Sequence, residues 1–225
     1  MAVKSKSFVG TPLPERHGES TWHLSDSFQI TLVFPLIMVA AWTMPGYANT
    51  VAVVLAVCFI LWFSVHGRFS FRELGLEGSS RGTGVMFVSA ALIVIALVIA
   101  GFILAKIGPS HPFSAKRSIL YAIWALLQEF ILQSFFYLRL ESLFGGRRAV
   151  WVAALLFALP HIPSPILTAL SFVGGLYFCE LFRRHRNLYP LGLVHAAIGL
   201  TIAASLPDRL LHHMRVGIGY LAYHP

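Results

Sequence analysis

Apolar residues run along this chain in long blocks, with polar residues confined to short breaks between them. The blocks are Phe28–Met44, Thr50–Val65, Gly84–Ile107, Ser118–Leu138, Ala149–Ile162, Ile166–Phe182 and Leu188–Leu206. Most approach the roughly twenty residues that a helix needs to cross the hydrocarbon core of a bilayer. The pattern predicts an all-α fold, a polytopic transmembrane helical bundle of about seven spans over residues 28–206. A polar segment precedes it over 1–27 and a tail follows over 207–225. The first block has no small-residue cleavage site close behind it, so it reads as a retained span and not a signal peptide. The fifth block is the shortest and ends in Pro160-His161-Ile162-Pro163-Ser164-Pro165. Proline cannot continue a helix cleanly, so a break or kink is expected near His161. A break that lines a cavity within the membrane and a simple turn between spans both fit this pattern. Pro190 falls just inside the start of the last block, where its missing N–H costs nothing.

Composition sharpens this picture. Hydrophobic residues make up 57% of the 225, and charged residues only 12%, against about 25% in soluble domains. The chain is therefore expected to be one membrane-embedded domain with the lipid bilayer as its first partner. The formal charge of +8 does not indicate nucleic acid, because the basic residues sit between the apolar blocks. Lys4, Lys6, Arg16, Arg68, Arg72, Arg81, Arg139, Arg147, Arg148, Arg183, Arg184 and Arg186 fall on one side. Lys106, Lys116, Arg117, Arg209 and Arg215 fall on the other. The positive-inside rule then makes the N-terminus cytoplasmic, and short basic loops on a compact chain fit a bacterial inner membrane. Cys58 and Cys179 lie inside apolar blocks and read as small core residues.

Against this apolar background three titratable residues stand out. Glu129 sits in the fourth block, His161 in the fifth and His195 in the seventh. A charge at the centre of a spanning helix costs roughly 2.5–3.5 kcal/mol even on the lenient insertion scales, which makes each residue a functional-site candidate. Each also admits a plainer reading as a packing residue with a local partner. At 1.5 Å per helical residue, Glu129 lies about 15 Å from Arg139, His161 about 18 Å from Ala149 and His195 about 10 Å from Leu188. All three are expected in one layer, slightly to the cytoplasmic side of the midplane. A carboxylate and two imidazoles at one depth can take a proton from water, direct it at a carbonyl carbon and stabilise the oxyanion. Gln133, four residues after Glu129, shares its helix face and can orient the carboxylate or hold substrate backbone; Gln128 and Gln133 can equally bond neighbouring helices. The same Glu129, His161 and His195 match the donor types of a two-histidine, one-carboxylate zinc site, but no compact zinc motif is present, so the expectation is no metal, with zinc as the alternative.

The order and spacing of these residues resemble the CPBP intramembrane proteases, which include the CAAX-processing (Ras-converting) endopeptidases. The resemblance covers about residues 118–205. The family pattern is E-E-x-x-x-R, then F-x-x-x-H, then H-x-x-x-N. Here the second motif is Phe157-Ala158-Leu159-Pro160-His161. The third is His195-Ala196-Ala197-Ile198-Gly199, with glycine in place of Asn. The first is Gln128-Glu129-Phe130-Ile131-Leu132-Gln133, retaining only the second acid. The resemblance implies a helical membrane endopeptidase acting on a membrane-associated peptide or protein. Glu129 and His161 would activate water, His195 would stabilise the oxyanion, and Gln128, Gln133 and Gly199 would stand at supporting positions. Gln128 cannot serve as a base, so either Glu129 takes over or the chain is a non-catalytic membrane binding or scaffold protein. Adjacent helix residues point about 100° apart, so a takeover needs a rotated helix or a different pocket. A small proton-coupled transporter using Glu129 is a third reading, but the sequence lacks the internal repeats common in such folds. Glu180, followed by Arg183 and Arg184, reads as a helix-surface ion pair.

Overall fold

The computed structural model describes residues 25–80, 82–104 and 114–222. Most of the polar N-terminal segment and the end of the third apolar block lie outside the described residues. Helix α1 covers Asp26–Trp42, α2 Tyr47–Val65 and α3 Thr83–Leu104; α4, Ala115–Glu129, runs on through a π-helical stretch, Phe130–Tyr137, into α5, Leu138–Phe144. Then come α6 (Gly146–Ala158), a 3-10 turn (Leu159–His161), α7 (Pro165–His185) and α8 (Leu188–Ser205). Two short helices, α9 (Asp208–Leu211) and α10 (Gly217–Leu221), complete the chain. No strand occurs among the described residues.

The outer helices are apolar on the side that faces away from the protein. In α2 the buried positions are Ala52, Ala56, Ile60 and Ser64, a stripe repeating every four residues. Val53, Val54, Leu55, Leu61 and Trp62 on the same helix are exposed. In water such a surface would drive association, whereas in a bilayer it is the face that meets lipid. Five segments are long and apolar enough to cross a membrane: Tyr47–Val65, Thr83–Ile103, Ala115–Phe144, Pro165–His185 and Leu188–Ser205. Helix α1 is shorter. Helix α6 has 13 residues, which is about 20 Å of helix against a hydrocarbon core of roughly 30 Å. It stops where the proline-rich sequence predicts, at the turn carrying His161.

The core is built around the long α4–α5 segment. Every residue from Leu132 to Leu140 is buried, because α1, α2, α6 and α7 all pack around this stretch. A helix surrounded on all sides needs no polar face. Its π-helical turns are a rare conformation that concentrates at functional sites. Glycine lets α7 approach α6 closely: a Cβ on Gly175 would lie 2.9 Å from the Cα of Ala154. Backbone cannot give way there as a flexible side chain would. Gly175→Leu is therefore expected to destabilise the fold by about 1–3 kcal/mol through overpacking, and thermal unfolding in detergent reads this directly. An unchanged melting temperature would show that the two helices can separate freely.

Arg139 departs from its expected place. Sequence put it at a basic loop, but its side chain is buried, with only 1% of the residue exposed. Its Nε donates to Gln29 Oε1 on α1 at 2.7 Å, its Nη2 to the Phe63 carbonyl on α2 at 3.0 Å and its Nη1 to the Phe135 carbonyl at 2.9 Å. A weaker bond reaches the Ser134 carbonyl at 3.5 Å, and the guanidinium lies 4.0 Å from the Phe135 ring centroid. The physical reason is the change of helix type. Where an i→i+5 ladder returns to i→i+4, the carbonyl pairing shifts by one residue, and the guanidinium supplies donors at that junction.

The loop between α2 and α3 is drawn onto the same end of the bundle. Ser134 Oγ donates to the Leu74 carbonyl at 2.7 Å, and Leu188 N–H donates to the Gly75 carbonyl at 3.0 Å. Gly75 takes φ +75°, which glycine alone adopts without strain. Past α8 the chain folds back onto the bundle. Leu211 is buried, and Gly217 sits so close to the Ala41 carbonyl on α1 that a side chain there would collide with it.

Candidate active site

Glu129 is the last residue of α4, immediately before the π-helix. It is fully buried. Its Oε1 accepts a hydrogen bond from His195 Nδ1 on α8 at 2.7 Å, and its Oε2 accepts one from Gln133 Nε2 at 3.0 Å. The carboxylate therefore points into the bundle and is held from two sides. The rotation that a takeover by Glu129 requires has a local cause in the wider turn directly after it. Each residue inserted into a helix rotates the N-terminal part against the C-terminal part by about 100°.

The His195 ring is fixed by more than its hydrogen bond. Phe178 on α7 stacks against it with centroids 4.8 Å apart and planes 17° from parallel. Phe157 meets it edge-on at 6.0 Å. Phe157 also touches the His161 ring, at 5.4 Å, so one phenyl group links the two imidazoles. His161 Nδ1 lies 2.9 Å from the Phe157 carbonyl, and a donor on Nδ1 leaves Nε2 with its lone pair free. Glu129 thus bonds His195 directly, and His161 joins the group through Phe157 rather than through the carboxylate.

The remaining expected residues divide. Gln133 is buried beside Glu129, with its Oε1 making no hydrogen bond among the described residues. Gln128 is half-buried and makes no side-chain hydrogen bond among the described residues. Gly199 is buried on the face of α8 that meets α4. Glu180 lies away from the site in the expected ion pair, with Arg183 at 2.8 Å and Arg184 at 2.5 Å. Two residues of the site were not singled out by sequence. Cys179, read as simple core, is buried beside both Glu129 and Gln133. Phe178, the platform under His195, carries no signal that separates it from other apolar residues of α7.

Among the described residues no group of three or more His, Cys, Asp or Glu side chains is arranged to hold a metal ion. Glu129 and His195 bond each other, and His161 Nδ1 faces a carbonyl. Where α6 breaks lies an apolar pocket of about 410 Å³ lined by Leu155, Ala158, Ile162, Pro163, Thr168 and Phe172 among others; Ile162 follows His161 in the chain, and none of Glu129, His161 and His195 lines it. That volume is in the range of small-ligand sites.

A bundle of long apolar helices around one buried Glu–His pair defines an integral membrane protein with a polar centre. Over residues 111–201 the chain matches a family model, Type II CAAX prenyl endopeptidase Rce1-like. This stretch is similar to that family, in keeping with the resemblance carried by the three motifs, and it takes in Glu129, His161 and His195. No curated protein and no solved structure matches the chain.

Proposed function

We propose that this protein is an intramembrane endopeptidase that hydrolyses a peptide bond in a membrane-associated peptide or protein, in a bacterial inner membrane. The observation that carries the reading is the buried hydrogen bond between Glu129 and His195, set in the Rce1-like segment. With its Nδ1–H donated to the carboxylate, His195 presents the lone pair of Nε2. This carboxylate–imidazole pairing holds a histidine in the tautomer needed for general-base work. His195 Nε2 and His161 Nε2 are the acceptors for the two hydrogens of a water molecule. As the water oxygen bonds to the carbonyl carbon, one of its protons passes to His195, and Glu129 stabilises the imidazolium. The C–N bond then breaks, and the amine leaves with that proton. Glu129 supplies the charge without itself needing to touch the water, which answers the loss of the first motif acid at Gln128.

The family description supports a peptide carrying a prenylated C-terminal CAAX sequence as the first substrate to try. The apolar pocket at the α6 break, lined by the residue that follows His161, supports a substrate with an apolar group. A scaffold lacking catalysis would have no need to aim Glu129, the one fully buried acid among the described residues, at a histidine. The test is to reconstitute the full chain in proteoliposomes with a quenched-fluorescent prenylated CAAX peptide and with unprenylated membrane-anchored peptides, and to identify products by mass spectrometry. Cleavage is expected, falling about 10²–10⁴-fold in His161→Ala, as for loss of a general acid–base group. Intact peptides throughout would sink the reading in favour of the scaffold.

A further inference from the structure

Residue 199, one turn after His195 on the same face of α8, has no side chain to offer the site. The space in front of it is filled from α4. A Cβ built on Gly199 would collide with the Tyr121 hydroxyl, and would lie 2.8 Å from Tyr121 Cζ and 3.0 Å from Cε1. The tip of the tyrosine therefore sits in the notch that the glycine leaves. Its hydroxyl forms no hydrogen bond among the described residues, although a phenol in an apolar bundle ordinarily finds a partner. Four residues of helix separate this level from His195, about 6 Å along the axis.

We infer that the Tyr121 hydroxyl is a catalytic hydrogen-bond donor that binds the carbonyl oxygen of the substrate and holds it as the charge develops there. The inference rests on the endopeptidase reading and completes it. Glu129, His161 and His195 handle water and protons, and Gln133 is committed to Glu129, so a donor for the oxyanion is the part still missing. A hydroxyl aimed at the place where negative charge appears is the group this step requires. The absence of a partner among the described residues is what separates Tyr121 from a structural tyrosine. Its O–H contributes no bond among the described residues, so its removal is expected to leave the bundle's stability unchanged.

The experiment measures kcat and KM of the reconstituted full chain on the quenched-fluorescent prenylated CAAX peptide. Tyr121→Phe keeps the ring in the notch and removes the hydroxyl. It is expected to lower kcat by about a hundredfold, as for loss of one oxyanion donor, with KM and melting temperature unchanged. Gly199→Ala displaces the hydroxyl and is expected to lower kcat as well. Tyr121→Ala combined with Gly199→Asn returns a donor to the vacated space and is expected to exceed Tyr121→Ala in kcat. Wild-type protein that cleaves, with Tyr121→Phe within about twofold of it in kcat, would overturn the donor role alone. A change confined to KM would reassign Tyr121 to substrate binding. Wild-type protein that cleaves no peptide overturns the endopeptidase reading, and the donor role with it.

Discussion

Glu129→Gln is expected to reduce peptide cleavage by about 10²–10⁴-fold, the contribution of a positioned general acid–base group, while the protein stays folded. The reason lies in the two bonds that Glu129 makes. Gln133 Nε2 donates to one oxygen and His195 Nδ1 to the other, at 3.0 and 2.7 Å. A glutamine has the same shape. Its carbonyl still accepts from Gln133, and its amide donates to His195 once the imidazole carries its proton on Nε2. Packing survives, but the charge that stabilises an imidazolium is gone and the lone pair of His195 Nε2 is consumed. Glu129→Ala acts differently. It strands Gln133 and His195 in the core, and each unpaired buried polar group costs about 1–3 kcal/mol, so stability and activity should fall together. Comparing the two variants by cleavage rate and thermal unfolding separates chemistry from folding. His195→Ala combined with Glu129→Gln should be little slower than either alone, because residues acting as one unit are not additive. A Glu129→Gln protein that cleaves at the wild-type rate would reduce Glu129 to a packing residue.

The second large effect falls on stability. Arg139→Ala is expected to destabilise the fold by about 3 kcal/mol or more, since it removes the donors for Gln29, Phe63 and Phe135 at once, at about 1–3 kcal/mol for each acceptor left unpaired. That is a large share of the 5–15 kcal/mol that separates folded from unfolded in a typical domain. Arg139→Lys should recover only part of the loss. A single ammonium group cannot reproduce a planar fork that addresses α1, α2 and the end of the π-helix together. Unfolding in detergent, tracked for both variants, measures the effect. The order wild type, Lys, Ala is the expected outcome. An Ala variant as stable as wild type would show that the guanidinium does not pin these elements.

Much of the architecture could be read along the chain, because the bilayer imposes the simplest of rules. Spanning segments must be long, apolar and helical, so most helix positions, the break at Pro160–Pro165 and the helical class come from hydropathy and proline alone. Glu129, His161 and His195 were legible for a related reason: in an apolar helix a titratable side chain is costly, and its presence alone makes it a candidate. Equal depth could be counted out at a fixed rise per residue. Glu180 with Arg183 and Arg184 was legible too, since both partners lie within one turn.

Direction and partnership depended on the third dimension. Sequence could not choose between Gln128 and Glu129 as the residue that faces the pocket, because a one-residue difference in helix phase leaves no trace in composition. The π-helix after Glu129 decides it. Nor could sequence tell that Glu129 would bond His195, 66 positions away, or that Phe157 would link the His195 and His161 rings. Arg139 shows the limit most clearly. By charge and position it belongs with the basic residues at a membrane surface. It is buried instead because carbonyls from α1, α2 and the π-helix junction converge on one point, and such convergence exists only once the helices have packed.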